Sequence, residues 1–565
     1  MNKLLAIAFW VISNGFVQAQ SWIWVKQSDN DSTHISSQCD PLTLGTDSKG
    51  NIFEMGIYLG RVAFGPYWLQ ATGSKAELFL TKNDVNGNVK WAISSTTIGI
   101  GAIGGNAMSL ATDKNGNIYI LSDYFNYPIA FGNDTIKTGS NSTNVFLAKF
   151  DSNGNALWVR NSIGTDFDIA YGYGVAIDDS GNAYITGGIA GTIKFGSFTL
   201  TTGFGESTYI VKYDANGNVK WATIPATTGG NSVGYAICTD RNNFVYITGF
   251  ISDTVSFGST TLTAPSNDFY LAKYDNVGNS IWAKQGTLIS TSGKDEGLTI
   301  SSDDANNIYV AGDFQDSVQF GTYPLVNKIA PSPFIVKYTN SGNLIWAKGA
   351  NGSTNLTRVC SISANKYGGF YLGGYFEGQV AFDSVKLVSD STYPSFIFKF
   401  DSNGKALCGT EINNYNDDAN ALGADPLADD VYFTGDAIGE IDISHTVCYF
   451  GSDSIKGYQE VGFLAKWTCG NVETNTKTIS SKNCITVYPN PSNGVFAFEA
   501  KSEVLRVKSI EVYNVLGEKV YSSQFSTINS HFSIDLSNQP NGIYLYRVIA
   551  NSGNVLGEGK MVIQR

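Results

Sequence analysis

At 565 residues the chain is too long for one ordinary domain, so it holds three or four domains or a repeat array. Charged residues are only 15% of it, while 61 glycines and 13% aromatics point to an all-β chain with many tight turns, against coiled coils, helical bundles and disorder. A net charge of −12 removes the basic footprint that nucleic acid or an anionic membrane surface would need.

The first element is an address. Lys3 is followed by an apolar stretch from Leu4 to Val17, broken only by Ser13, Asn14 and Gly15, and Val17-Gln18-Ala19 supplies small side chains for cleavage. Residues 1–19 are expected to be a secretory signal peptide cut after Ala19, which leaves Gln20 first. The apolar core is shorter than the roughly 20 residues that span a bilayer. No later segment has 18 uninterrupted apolar residues, so the mature chain is expected to be soluble or attached from outside.

Internal repetition dominates residues 20–469. The segment from Phe146 through Lys149, Asp151 and Gly154 to Trp158 returns at Phe79 to Trp91, Tyr209 to Trp221, Tyr270 to Trp282 and Phe334 to Trp346. It returns once more at Phe396 to Cys408, with Cys in place of Trp. Its lysine recurs as Lys82, Lys149, Lys212, Lys273, Lys337, Lys399 and Lys466, every 61 to 67 residues. A second anchor runs from Ala176 through Asp178, Gly181 and Tyr184 to Gly187; its aromatic recurs as Phe53, Tyr119, Tyr246, Tyr309, Tyr371 and Tyr432. A third is an aromatic before a turn, at Phe64, Phe131, Phe195, Phe257, Phe320, Phe382 and Phe450, followed by Gly except at Asp383. Three anchors in one order, seven times each, define seven units.

Each unit reads as two β-hairpins, one turning at a site such as Gly181-Asn182 and one at a site such as Asn153-Gly154. A unit of four strands cannot bury its own faces, and radial stacking of such units makes a β-propeller. The seventh unit ends at Phe463 to Cys469 without its last strand, and the segment Ser21-Trp-Ile-Trp24-Val-Lys26 is that missing strand. The expected architecture for 20–469 is therefore a seven-bladed β-propeller closed by the N-terminal strand, which also removes an exposed sheet edge. The recurrent Trp24, Trp91, Trp158, Trp221, Trp282 and Trp346 are expected to dock adjacent blades rather than to stack sugars.

Seven cysteines (Cys39, Cys238, Cys360, Cys408, Cys448, Cys469 and Cys484) include four between 408 and 484, enough for one or two local disulfides with at least one thiol left free. Their partners are not assigned by spacing, and no Cys/His cluster has zinc-ligand spacing.

The Asp178-x-x-Gly-Asn-x-Tyr-x-Thr-Gly187 and Lys212-Tyr-Asp-x-Asn-Gly-Asn-x-x-Trp221 hairpins resemble the bacterial secreted β-propeller repeat, the SBBP family. That resemblance covers essentially 20–470 and implies a fold but no single activity. Residues 470–484 are polar, free of aromatics and linker-like. From 485 to 565 alternation resumes in strand-sized runs with turns at Ser492-Asn-Gly494 and Asn541-Gly542, as in a small β-sandwich.

The motifs Tyr488-Pro489-Asn490-Pro491 with Gly494, Val512 to Gly517, Asp535-Leu536, Asn541-Gly542-Ile-Tyr544 and Lys560 to Ile563 resemble the type A C-terminal sorting domain of the Bacteroidetes type IX secretion system. The resemblance implies passage to the periplasm, recognition of 485–565 by an outer-membrane translocon, and release or surface attachment after the tail is removed.

Enzymatic motifs are sparse. His34, His445 and His531 are scattered, and no Gly-x-Ser-x-Gly or His-Glu-x-x-His occurs. The Asp-Ser-Asn-Gly turns differ from an EF-hand in the place of Gly, and Asp capping its own turn accounts for them. No catalytic, cofactor-binding or metal-ligating residue is assigned. Asp123, Asp313 and Asp436, which follow the second strand in three units, are the candidates for carboxylates that meet near an axis. A further pattern, Asp-Ser/Thr-aliphatic, resembles the O-glycosylation acceptor of Bacteroidetes and would place sugars on Thr135, Thr254, Ser317, Ser384 and Ser454, all beside the third anchor. The reading is a secreted or surface-attached, monomeric, non-enzymatic propeller that contacts an extracellular protein or glycan; the alternative is a propeller hydrolase or lyase acting on polysaccharide.

Overall fold

Apolar–polar alternation about Asn-Gly turns folds, in the computed structural model, into antiparallel strands, with no helix among the described residues. The structure describes residues 19–470 and 485–565, apart from 31–36, 413–418, 438–445, 501–506, 525–530 and shorter internal stretches. It divides into two compact units, with the boundary after Asn471.

In the first unit the third repeat shows the pattern. Ile169–Ile177, Ala183–Ala190, Ser207–Tyr213 and Val219–Thr223 pair in chain order, each antiparallel to the last. The same order of four is found six more times, with first strands at Gln38–Thr46, Ile103–Thr112, Ser232–Thr239, Asp295–Ser302, Thr357–Ala364 and Ala419–Ala424. In the seventh sheet Asp430–Ala437 and Val461–Gly470 follow, and the fourth strand is Ala19–Gln27, in antiparallel register with Val25 opposite Ala465 and Gln20 opposite Cys469. The first strands neighbour one another in sequence, and Ala419–Ala424 lies beside Gln38–Thr46, so the succession returns on itself.

Between second and third strands a small hairpin carries the aromatic-Gly anchor, as at Arg61–Phe64 with Tyr67–Gln70 or Gln379–Phe382 with Val385–Val388. Its turn needs a positive φ: Gly196 takes 58°, and Asp383, the one departure from Gly, takes 53°. Asp is among the few side chains that tolerate that region. In the fourth and fifth sheets the strands run straight through, Val245–Phe257 against Thr260–Tyr274 and Ile308–Phe320 against Tyr323–Tyr338, with a bulge in each.

Every first strand carries a β-bulge, such as that between Gly172 and Gly174 or between Gly297 and Thr299. The bulge pushes a carbonyl of the first strand onto the second, where the Thr-Gly anchor ends. A Cβ on Gly187 would stand 1.9 Å from the Tyr171 carbonyl oxygen, and one on Gly312 the same distance from that of Glu296. That backbone approach is why the position is Gly in most repeats.

The cores lie between successive sheets. Tyr119, Leu121, Val145 and Leu147 of the second sheet form one buried cluster with Val175, Ile185, Tyr209 and Val211 of the third, and Trp158 belongs to the same cluster. The second unit has two sheets, of three strands (Ile485–Tyr488, Val495–Ala500, His531–Asp535) and of four (Lys519–Gln524, Val507–Asn514, Gly542–Ala550, Val555–Ile563). Phe496, Phe498 and Ile534 of the first share a core with Ile510, Val512, Val548 and Met561 of the second.

Candidate functional site

The two ends of the seven sheets differ in kind. One end carries the short turns between first and second and between third and fourth strands, and there the repeated residues close on one another. Asp178 accepts hydrogen bonds at Oδ1 from the Ser180 and Asn182 amides, both at 2.9 Å, and at Oδ2 from the Tyr184 hydroxyl at 2.9 Å. The Lys212 ammonium sits 5.0 Å from the Tyr184 ring centre and donates to the Asn276 carbonyl of the next sheet at 2.9 Å. Trp221 Nε1 donates to the same carbonyl at 3.1 Å, and its ring fills the space where a Cβ on Gly278 would be, 2.9 Å away.

The neighbouring junctions repeat this. Lys82 and Trp91 both donate to the Ser152 carbonyl, at 2.9 and 3.3 Å, and Lys149 and Trp158 both to that of Ala215, at 3.2 and 3.1 Å. The rings of Trp282 and Trp346 lie over Gly342 and Gly404, and Trp24 over Gly87, joining the seventh sheet to the first. Cys408 stands where the sixth sheet would have its Trp. It is disulfide-bonded to Cys469, the residue whose carbonyl accepts from Lys399 at 2.7 Å. A covalent bond thus occupies the junction that lacks an indole. In the turn at 151–155, Asp151 accepts from the Asn153 and Asn155 amides and the Asn155 side chain, at 2.8 to 2.9 Å, which spends the carboxylate on its own turn.

The opposite end gathers what the repeats do not share. Because seven copies of one unit carry the fold, a position that differs from copy to copy is free of that duty. The residue after the close-packed Gly of the second strand is Ile57, Gly188, Phe250, Asp313, Tyr375 or Asp436, and Asp123 holds the same place in the second sheet. Cross-strand partners on the first strands vary too: Tyr171 faces Gly188, Val233 faces Phe250, Glu296 faces Asp313 and Arg358 faces Tyr375.

Glu296 opposite Asp313 places two acids together, an arrangement that costs free energy when unrelieved. Arg358 of the next sheet relieves it, with Nε donating to Asp313 Oδ2 at 3.1 Å while the Val359 amide donates to Oδ1 at 3.2 Å. Asn267 Nδ2 donates to Glu296 Oε1 at 2.8 Å. Burial outweighs Arg358 and leaves the Asp313 carboxyl pushed up to about 6. Lys294, Gln315, Phe314, Pro331 and Leu356 complete, with these acids and Arg358, the lining of a cavity of about 310 Å³.

A row of aromatics lies on the third and fourth sheets. Tyr235, whose hydroxyl feels the charges of Glu296, Glu206 and Arg358, has its ring 5.4 Å from Tyr173 and 5.8 Å from Phe250; Tyr173 lies 6.0 Å from Tyr171. Glu206 reaches into the row: its Oε1 occupies the place where Gly188 would carry a Cβ. That oxygen is buried without a hydrogen-bond partner, and burial raises its carboxyl.

Of the three acids singled out from sequence, Asp313 is in the cavity wall. Asp123 acts on Tyr171 and Tyr173 and is pushed up to about 7 by burial. Asp436 is buried and already engaged. A pair that the sequence motifs do not mark lies deeper. Asp295, 0% exposed, is pushed up to about 8 by burial and by Asp268, which at 1% exposed is itself pushed up to about 7. The signal was available, since Asp295 takes a place held by Ser232 and Thr357 in the flanking repeats, and Asp268 one held by Ser207 and Ser332.

The five Asp-Ser/Thr-aliphatic triads are not equivalent in structure. Thr135 lies on the second strand of its small hairpin and is exposed; Ser384 lies in the turn itself and is exposed. Thr254 and Ser317 sit before the aromatic, on the first arm of a long ribbon, half-buried and buried respectively. The Ser454 backbone pairs with Tyr449, and its side chain lies outside the described residues. Thr135 and Ser454 thus share one register of the small hairpin, and Thr254 and Ser317 share one place before the aromatic, so the five triads occupy three places in the repeat.

In the second unit the motif residues hold the last strand. Asn490 donates from Nδ2 to the Lys560 carbonyl at 2.7 Å and accepts at Oδ1 from the Val562 amide at 2.8 Å. Pro491 leads into Ser492, which bridges to Ile563. The Pro540 carbonyl accepts from the Tyr544 hydroxyl at 2.9 Å, and Asn541 Oδ1 from the Arg565 amide at 3.2 Å. Gly494, at φ 126°, has no room for a Cβ against Ser537. Gly542 opens its strand opposite Ile563, Tyr488 is exposed beside Pro489, and Gly517 lies outside the described residues.

Residues 486–564 match the family model described as the secretion system C-terminal sorting domain. The chain therefore carries a domain that marks proteins for export by the type IX system to a secreted or surface location, and that implies contact with that system. An uncharacterized WD repeat-containing protein of Acanthamoeba polyphaga mimivirus is 26% identical over 428 residues, 63% of this chain; the chain spans 30% of that relative's length. Two solved structures are distantly similar. A protein of unknown function from Dyadobacter fermentans has TM-score 0.33 and 8% identity over 78% of this chain and 99% of its own. A fungal alcohol oxidase of the AA5 family in complex with copper has TM-score 0.28 and 10% identity over 83% and 98%. At such scores neither bears on this chain's activity.

Proposed function

We propose that residues 20–469 form a seven-bladed β-propeller of the SBBP kind, exported after signal cleavage at Ala19 through recognition of 485–565 by the outer-membrane translocon. Outside the cell it is a monomeric, non-enzymatic binding module for a glycan. The recurrent tryptophans serve as blade-docking residues, and the exposed Thr135 and Ser384 are the triad sites open to glycosylation.

The observation that carries the binding role is the collection of unit-specific aromatic and charged side chains at one end of an otherwise repeated scaffold, around the cavity at Glu296 and Arg358. Binding residues sit where a rigid scaffold leaves loops and strand ends free to vary. A polysaccharide hydrolase or lyase would need two reachable carboxylates. Here Glu296 lines the cavity but its neighbour Asp313 is held by Arg358, and the close pair Asp268 and Asp295 is sealed from solvent. Purified chain from Gln20 onward, passed over an array of bacterial and plant glycans, should retain a subset of them and release no shorter sugar on prolonged incubation. Release of reducing ends would favour the hydrolase.

A further inference from the structure

We infer that the cavity between the fifth and sixth sheets is a subsite for one neutral pyranose ring of a glycan chain. The inference rests on the glycan-binding role proposed for the first unit and assigns its location and sugar class.

The charge balance of the lining decides the class. Glu296 and Asp313 supply two acids, Lys294 and Arg358 two cations, so no net charge selects an ionic ligand. A ligand carboxylate would have to compete with Asp313 for Arg358, whose Nε is already donating at 3.1 Å. A ligand ammonium would meet Lys294 and Arg358 across the same small space. Vicinal sugar hydroxyls, each both donor and acceptor, suit this mixture. Glu296 has acceptor capacity beyond the bond from Asn267, Gln315 offers both a donor and an acceptor, and Lys294 offers donors.

The remaining walls suit the apolar edge of the same ring. Phe314, Pro331 and Leu356 present carbon surface, and half-buried Tyr235, outside the lining, is near enough for its hydroxyl to feel the charges of Glu296 and Arg358. About 310 Å³ is at the small end of ligand cavities, roughly 300–1,000 Å³, and so takes a ring rather than a whole oligosaccharide. The row Tyr173, Tyr171 and Glu206 continues beyond Tyr235 and would carry the next residues of the chain.

The test is calorimetric titration of the full chain from Gln20 with cello-, manno- and xylo-oligosaccharides, with oligogalacturonate and a tripeptide as charged controls. Binding of at least one neutral oligosaccharide is expected, weakened ten-fold or more by Glu296→Gln. Leu356→Trp, which narrows the cavity while leaving its polar groups in place, should weaken it likewise, with the thermal melt of each variant within a few degrees of the parent. Neutral binding that both variants leave unchanged overturns the cavity assignment and leaves the glycan reading standing. Binding of oligogalacturonate or tripeptide alone overturns the neutral-sugar assignment. Absence of binding to every glycan, here and on the array, overturns both.

Discussion

Removing the Cys408–Cys469 disulfide is the perturbation whose magnitude comes most directly from the structure. The bond joins the fourth strand of the sixth sheet to the end of Val461–Gly470, which pairs with Ala19–Gln27. It closes a chain segment of 61 residues, and the loop-entropy relation puts that constraint at about 4 kcal/mol. Replacing both cysteines by Ala also takes away the covalent substitute for the Trp-over-Gly contact that the other junctions possess. Urea unfolding followed by tryptophan fluorescence should show a loss near this value, with a slope equal to or steeper than the parent's because the unfolded chain is released from its cross-link. Dithiothreitol should produce the same loss in the parent and none in the double variant. The Ala19–Gln27 strand should also become the first segment cut in limited proteolysis. A loss below about 1 kcal/mol, or an equal effect of reductant on both proteins, would refute the reasoning, because the bond would then not restrain ring closure.

Gly187→Ala would set a methyl carbon 1.9 Å from the Tyr171 carbonyl oxygen, and a loss of about 3 kcal/mol is expected in the same urea assay, since backbone must move to admit it. Stability should fall as pH rises from about 4 to 8. Asp313, Asp123, Asp268 and Asp295 are raised to about 6, 7, 7 and 8, and Glu54 to about 7, chiefly by burial, so the folded chain holds protons that the unfolded chain releases in that window. Melting midpoints at pH 5 above those at pH 8, with the difference reduced in Asp295→Asn, would bear this out; a flat profile would not. Deleting 472–565 should leave a folded repeat unit retained in the periplasm, because it removes the sorting domain at the boundary between the two compact units. Fractionation and immunoblotting decide it.

Local chemistry settled much of this protein in the sequence. The spacing of Lys149, Tyr184 and Phe195 with their counterparts, and the Asn-Gly turns between alternating runs, set the strands and their order, because hairpin pairing depends on neighbours a few residues away. The strand lacking from the last repeat was visible as Ser21 to Lys26, since Trp24 carries the same spacing as the other tryptophans. The sorting motifs were equally legible, being short and ordered.

The contacts that give the molecule its individuality were not. Cys408 could have paired with any of several cysteines until the seventh sheet brought Cys469 to the place of a missing turn. Glu296, Asp313, Arg358 and Tyr235 belong to three successive repeats, and Asp268 with Asp295 to two. Their proximity comes from the packing of one sheet on the next. Sequence periodicity records the residues that every sheet must share; which of the unshared ones meet is decided only when the sheets close together.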